Sequence, residues 1–292
     1  MTLGIELSRL TLQYKDTRAL DEMSLRLDGG KIYGLLGRNG SGKTSLASVI
    51  AAFRPQTSGE VLVGGQPPFE NADIVSQICL IREGGDVFDS DRVSVALNFA
   101  ARFRPNWDAD LAARLVDRFE LPLRKRVSAL SRGMRSALGV VLGLSSRAPL
   151  TIFDEVHLGM DAPSRAAFYE ELLADYLEHP RTIIISTHLI EEVVSLLEEV
   201  VIIDKGRVLF HEPTDDLRER GVSVTGPSAA VAEFTAGLTV LNERILGGTT
   251  QVTTFGELGA EQRRAAKAAG LELGPVPLQD LFIHLTAKER RS

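Results

Sequence analysis

The sequence predicts an α/β fold: a mostly parallel sheet at the core, an antiparallel β subdomain before it, a helical insert within it and a small α+β domain after it. Three observations point there. Short unbroken apolar runs at KIYGLL, ICLI, LTIF, TIII and VVII are separated by helical patterns, and strands that read this way are buried on both faces of a parallel sheet. The opening stretch instead alternates apolar and polar residues, as half-buried antiparallel strands do. From about residue 90 to about residue 145 the strand signals stop and helical spacing takes over.

Ile5 and Leu7, Leu10 and Leu12, then Met23, Leu25 and Leu27 mark the first strands, and Val61, Leu62 and Val63 mark another. In the insert, Leu111, Leu115 and Phe119 share a helix face, with Asp108 or Asp110 near its start. The segment ALSRGMRSAL follows, and Met134, Ala137, Leu138 and Val141 continue it at helical spacing. Ser131 and Gly133 therefore stand at a helix N-terminus, beside the positive end of its dipole, where an anion is favoured. Past GRVLFHEP the pattern becomes a small unit: GVSVT, a short helix near AAVAEF, strand-like TVLNERI and QVTTF, then AEQRRAAKAAG and LQDLFIHLT. The expected division is residues 1–212 and 213–292, with the insert at about 90–145.

A length of 292 residues suits two domains, and 44% hydrophobic with 25% charged residues is ordinary for a globular chain. Net charge is −6 with Lys and Arg scattered, which argues against a large nucleic-acid or headgroup surface, so no nucleic-acid partner is expected. Cys79, the single cysteine, excludes an internal disulfide and a cysteine metal cluster; it reads as a small buried core residue in a reducing compartment. No apolar run approaches the ~18 residues that cross a bilayer, and MTLGIELSRL lacks a signal-peptide pattern. A soluble chain is expected, one that meets a membrane only through another protein.

Residues 37–44 read GRNGSGKT, which fits G-x-x-x-x-G-K-[ST] between the strand IYGLL and the helix-like SLASVIAAF. The core is thus read as a P-loop NTPase. Gly37, Gly40 and Gly42 let the loop Gly37-Arg38-Asn39-Gly40-Ser41-Gly42 bend so that successive N–H groups point at phosphate oxygens. Lys43 then reaches the β- and γ-phosphates, and Thr44, or its neighbour Ser45, offers a hydroxyl to Mg²⁺. The run LTIFDE ends in two carboxylates. Asp154 suits a Mg²⁺ ligand, direct or through water, and Glu155 suits the group that orients and deprotonates the attacking water, although paired carboxylates more often mark a solvated loop. TIIIST ends at His188, which reaches a γ-phosphate if its strand lies beside that of Asp154; a lone histidine is more often structural.

Taken in order, GRNGSGKT, LSRGM, LTIFDE, LGMD and STH resemble the nucleotide-binding subunit of ATP-binding cassette (ABC) transporters over about residues 3–212. The resemblance implies ATP and Mg²⁺ as cofactors and ATP hydrolysis coupled to transport. LSRGM stands for the family's signature LSGGQ, so Ser131 and Gly133 are expected to grip the γ-phosphate of ATP held by the P-loop of a second cassette, stacked head to tail as a homodimer or paralogous heterodimer. A plain helix cap at Ser131 has the same local chemistry. Tyr14 stands where a ring stacks on adenine, with a strand-surface tyrosine as the alternative. Asp161 stands in the loop that links the two sites, and its place before Ala162 and Pro163 also suits an N-cap. The other implied partner is a membrane-spanning permease subunit, docked in a groove near residues 84–100 and holding the chain at the cytoplasmic face of the cell membrane. A lone cassette without a fused membrane domain, ending in GPVPLQDLFIHLT, resembles the ATPase subunits of bacterial drug, antibiotic or peptide exporters.

The departures are specific. Arg82 and Glu83 follow ICLI where the family has a glutamine; Glu83 is the nearest match as a Mg²⁺ contact, and its charge beside a triphosphate costs affinity unless the metal or Arg82 offsets it. Gln77 precedes that strand and reads as a loop residue. Arg132 and Met134 replace the signature's glycine and glutamine, and Val156 and His157 follow Glu155 where proline is common. The alternative function is a soluble ABC-type ATPase acting mechanically on a non-membrane partner. Against it, Lys43 and Ser131 stand fewer than a hundred residues apart, too close for a long coiled-coil insert, and there is one cassette without a basic linker. A P-loop kinase or GTPase would leave LSRGM and STH as coincidences, and the guanine-reading Asn-Lys-x-Asp is absent.

Overall fold

The computed structural model describes residues 2–84 and 86–288. Its packing divides into two units: the first runs through His188 and takes in Leu196–His211, and the second comprises Leu189–Ser195 with the chain from Glu212 onward.

The first unit begins with β1 (Ile5–Tyr14), β2 (Thr17–Leu27), β3 (Ile32–Leu36), α1 (Lys43–Ile50), β4 (Ser58–Val63), α2 (Ala72–Val75) and β5 (Ile78–Arg82). The insert supplies α3 (Val93–Phe103), α4 (Ala109–Arg118) and α5 (Arg132–Ser145), followed by β6 (Leu150–Asp154), α6 (Ala162–Glu178) and β7 (Thr182–Thr187). After the short α7 (Ile190–Val193) of the second unit, β8 (Glu199–Asp204) and β9 (Arg207–Pro213) complete a six-stranded sheet in the order β5-β6-β7-β3-β8-β9. The pairs from β5 to β8 are parallel, and their strands are the unbroken apolar runs of the sequence. A separate antiparallel sheet has the order β2-β1-β4.

Strand parity sorts the core. One face of the parallel sheet, with Tyr33, Leu35, Leu80, Ile152, Ile184 and Val201, packs with Leu46 and Ile50 of α1 and with the antiparallel sheet. The opposite parity of β6 meets α5: a Cβ on Gly143 would lie 2.4 Å from Phe153 Cε1 and 3.0 Å from Ile81 Cγ1, so the ring occupies the space that a helix side chain would need. Phe153 also packs edge-on to Phe168 of α6 at 5.1 Å. These contacts seat α5 against the strand that ends in Asp154. Asp108 caps α4 by accepting from Leu111 N–H at 2.8 Å, which resolves the sequence choice between Asp108 and Asp110.

In the second unit the sequence anticipates β10 (Gly221–Pro227), α9 (Ser228–Thr235), β11 (Thr239–Leu246), β12 (Thr249–Phe255), α10 (Ala260–Ala268) and α11 (Leu278–Lys288), but neither the helix α8 (Thr214–Glu219) nor the strand β13 (Glu272–Pro275). TDDLRE has one large apolar residue, and ELGP is too short and too breaker-rich to read as a strand. The antiparallel order is β11-β12-β10-β13, over a small core of Val224, Val231, Val252, Ala266 and Leu271. Among the described residues no helix is long and apolar enough to cross a membrane.

Replacing Phe153 by Ala empties a fully buried ring site without touching the strand-end groups. It should lower unfolding stability by about 3–5 kcal/mol, read from the midpoint of urea denaturation at constant slope.

Candidate active site

Sheet order decides which residues meet. Four adjacent parallel strands, β5, β6, β7 and β3, present their carboxyl ends along one edge, in registers that pair Arg82 with Asp154, Asp154 with Ser186, and Thr187 with Leu36. Glu83, Asp154 with Glu155, His188 and the P-loop each sit at or just past one of these ends, where open α/β sheets hold their ligands.

The P-loop is drawn tight. A Cβ on Gly37 would lie 2.3 Å from Ser41 Oγ, and Gly42, at φ +110°, has Ala19 O 2.7 Å from where its Cβ would be. Ser41 N–H closes the turn onto Arg38 O at 3.0 Å, and Ser41 Oγ is buried without a hydrogen-bond partner. Gly206, in the β8–β9 turn, donates to Ser41 O at 2.8 Å and accepts from Asp21 N–H at 2.9 Å, tying the loop to β2. Lys43 opens α1, and its side chain is only 5% exposed. Its ammonium donates to Gly37 O at 2.7 Å and lies 3.0 Å from Glu155 Oε1.

Glu155 stands in the left-handed region at φ +52°, a conformation that costs energy for a side chain with a Cβ. Its N–H donates to Ser186 O at 3.1 Å, and its Oε2 lies 3.6 Å from His188 Nδ1. His157, fully buried, lies with its Nε2 3.0 Å from Thr187 Oγ1. Asp154 is 4% exposed, and its Oδ1 is enclosed with no hydrogen-bond partner. A buried carboxylate oxygen without a donor is costly unless a cation completes it, so this position fits a hard, oxygen-seeking ion such as Mg²⁺. Among the described residues no three His, Cys, Asp or Glu side chains converge as a metal cage.

Tyr14, Asn39, Thr44, Ser45, Glu83 and Glu155 face one cavity of about 730 Å³ over the P-loop. Arg54 lies over the Tyr14 ring at 5.1 Å. Leu158, the first residue of LGMD, also faces it, as do Thr17, Arg18 and Lys205, which carry no signal in the sequence because only the folded β1–β2 and β8–β9 hairpins bring them there. Arg18 is held 2.6 Å from Asp21, which also pairs with Arg207.

Ser131, Gly133 and Asp161 are not among the residues that face this cavity. Ser131 caps α5 by accepting from Met134 N–H at 3.2 Å, and Gly133 passes so close to the turn after Glu155 that a Cβ would lie 2.9 Å from Gly159 O. Asp161 caps α6 by accepting from Ser164 N–H at 3.0 Å; hydrogen bonds from the Ser164 hydroxyl and then its N–H hold the carboxyl below its ordinary range. Nor does Arg82 offset Glu83. Arg82 makes a bidentate pair with Asp86 and lies over the Phe53 ring, whereas Glu83 is bound by Arg132, whose Nε donates to Oε1 at 2.7 Å.

The strand order, the glycine loop and the buried lysine facing a carboxylate define a P-loop nucleoside triphosphatase. Residues 20–157 match the model of the ABC transporter family. Full-length similarity extends to the ABC transporter ATP-binding protein YtrB of Bacillus subtilis, 25% identical over 98% of this chain and 99% of that one. It extends also to the daunorubicin resistance ATP-binding protein DrrA3 of Streptomyces coeruleorubidus, 28% identical over 96% and 94%. Among solved structures, the dimeric post-hydrolysis state of the ATP-binding cassette MJ0796 bound to ADP and Pi shares the fold at a TM-score of 0.62, with 19% identity over 72% of this chain and 98% of that one. The chain is thus similar to the ATP-binding subunits of ABC transporters, and the matches support ATP binding and hydrolysis coupled to transport through a separate transmembrane subunit.

Gly42→Ala should distort the loop, because the added methyl meets Ala19 O at a φ that side chains avoid. Equilibrium binding of a fluorescent ATP analogue should weaken about tenfold or more while the circular dichroism spectrum is kept.

Proposed function

We propose that the chain powers export from the cytoplasmic face of a membrane by closing against a second cassette around two ATP molecules. The observation that carries this reading is the separation of the two anion-binding surfaces: Lys43 and Glu155 face one cavity, while Ser131 and Gly133, at the N-terminus of α5, face elsewhere. Each surface is incomplete for a triphosphate. Two chains stacked head to tail would supply both to each nucleotide, and the cassette MJ0796, which shares the fold, is dimeric.

Within each shared site the P-loop N–H groups and Lys43 hold the phosphates, and Tyr14 supplies a ring for adenine, seated beside the P-loop at the same cavity. Mg²⁺, when bound, would offset the negative charge that develops on the phosphates. Asp154 and Thr44 would hold it, with Glu83 at the rim of the same cavity. Glu155 takes the proton of the attacking water as its oxygen bonds to the γ-phosphorus and the bond to ADP breaks. His188, beside Glu155, donates to the γ-phosphate. Asp161, at the end of the turn that follows Glu155, carries the state of one site toward the other.

The permease partner is assigned to the outer face of α3, where Val95, Phe99 and Phe103 recur at four-residue spacing and the last two rings lie 4.6 Å apart. Phe88, 72% exposed, is a further exposed ring in the 84–100 stretch, of which Gly85 lies outside the described residues. An apolar area of this kind marks an interaction site. Export is supported by the drug-resistance relative of matching length.

Glu155→Gln should leave ATP binding intact and lower hydrolysis by about 10²–10⁴. Lys43→Ala should instead weaken binding itself. Unchanged turnover in the first variant contradicts the role of Glu155 as the base, and unchanged affinity in the second contradicts the role of Lys43 in the phosphate cradle.

A further inference from the structure

Two residues that depart from the family pattern, Glu83 and Arg132, stand 49 positions apart in the chain and bind each other. Arg132 uses both Nε, at 2.7 Å, and a terminal nitrogen on the same oxygen, Oε1. The pair is exposed, but its two residues belong to different surfaces. Glu83 faces the cavity of Lys43 and Glu155, whereas Arg132 is the residue between Ser131 and Gly133, the surface assigned to the other chain's nucleotide. The Arg132 stem also crosses the turn that follows Glu155, since a Cβ on Gly159 would lie 2.9 Å from Arg132 Cγ.

The contact is reinforced in parallel. Arg135, one turn further along α5, lies 2.9 Å from Asp89, and the backbone N–H groups of Val127 and Ser128 donate to Asp91 O and Asp89 O at 2.8 and 3.0 Å. The loop after β5 is thus joined at two points to the first turn of α5 and at two to the turn before it. Glu83–Arg132 is the one among these contacts that includes a residue facing the cavity. Opposite replacements at the two positions also settle the charge problem that Glu83 poses to a triphosphate: the guanidinium neutralises the carboxylate from the side of α5.

We propose that the Glu83–Arg132 pair is a strap through which nucleotide held over Lys43 positions the Ser131–Gly133 surface of the same chain for the nucleotide of its partner. This rests on the shared-site reading above. Arg132 is a positioning residue that acts through Glu83, and the two sites of a dimer are linked by two such straps. An exposed ion pair couples only weakly, so the effect is a shift in the ATP needed for assembly, about two- to fivefold.

The test is a double-mutant cycle in the full chain carrying Glu155→Gln, with Glu83→Gln, Arg132→Gln and the pair combined. The readout is the ATP concentration that gives half-maximal dimer in sedimentation or light scattering. Each single replacement should raise it about two- to fivefold, and the combination should be no worse than the worse single, because a strap cut once is already open. Shifts that multiply in the combined variant, or no shift in either single, overturn the proposal. If the Glu155→Gln parent itself forms no dimer at any ATP concentration, the shared-site reading fails first and the strap falls with it.

Discussion

A buried ammonium sets the terms for the catalytic unit. Lys43 is almost wholly withdrawn from solvent, and a charge so placed is tolerable only with close partners. Gly37 O and the Glu155 carboxylate provide them, one from the P-loop and one from the end of β6. Those partners lie on elements more than a hundred residues apart, and only the strand order of the parallel sheet brings them within 3.0 Å. The glycines of the loop serve the same end, because the ammonium reaches Gly37 O only across a turn that leaves no room for a Cβ at Gly37 or Gly42.

The same pairing shows how binding and hydrolysis can be connected. Glu155 holds the lysine and stands beside His188, so a triphosphate that engages Lys43 competes for the charge that Glu155 now satisfies. Packing on the other face of β6 connects this edge to α5, through the Phe153 ring seated against Gly143 and through Gly133 against Gly159. The Ser131–Gly133 turn therefore packs close to the strand end that carries Asp154 and Glu155, although it does not face the same cavity as Glu155.

Much of the catalytic unit is legible in the sequence because its physics is local. Unbroken apolar runs mark the parallel strands, and a glycine-spaced loop between strand and helix marks the P-loop. The alternation in β1 even shows its defect: Ile5 and Leu7 share one parity and Leu10 and Leu12 the other, because the strand bulges between Leu7 and Leu10 with Arg9 at φ +46°. What the sequence hides depends on long-range placement. Arg18 and Lys205 look like ordinary turn residues until two turns fold over the P-loop, and the partner of Glu83 is not the adjacent Arg82 but a residue of α5. In the second unit, α8 and β13 carry too few apolar residues to register, and β13 exists only because β10 offers it an edge.

The central claim, that each ATP is served by the P-loop of one chain and the Ser131–Gly133 surface of another, is tested most directly by mixing two disabled chains, Lys43→Ala and Ser131→Arg. Each alone should be nearly inactive. Random pairing makes half the dimers mixed, each with one intact composite site, so an equal mixture should regain roughly a quarter of the unsubstituted ATPase rate. A mixture no more active than its two components would contradict the account.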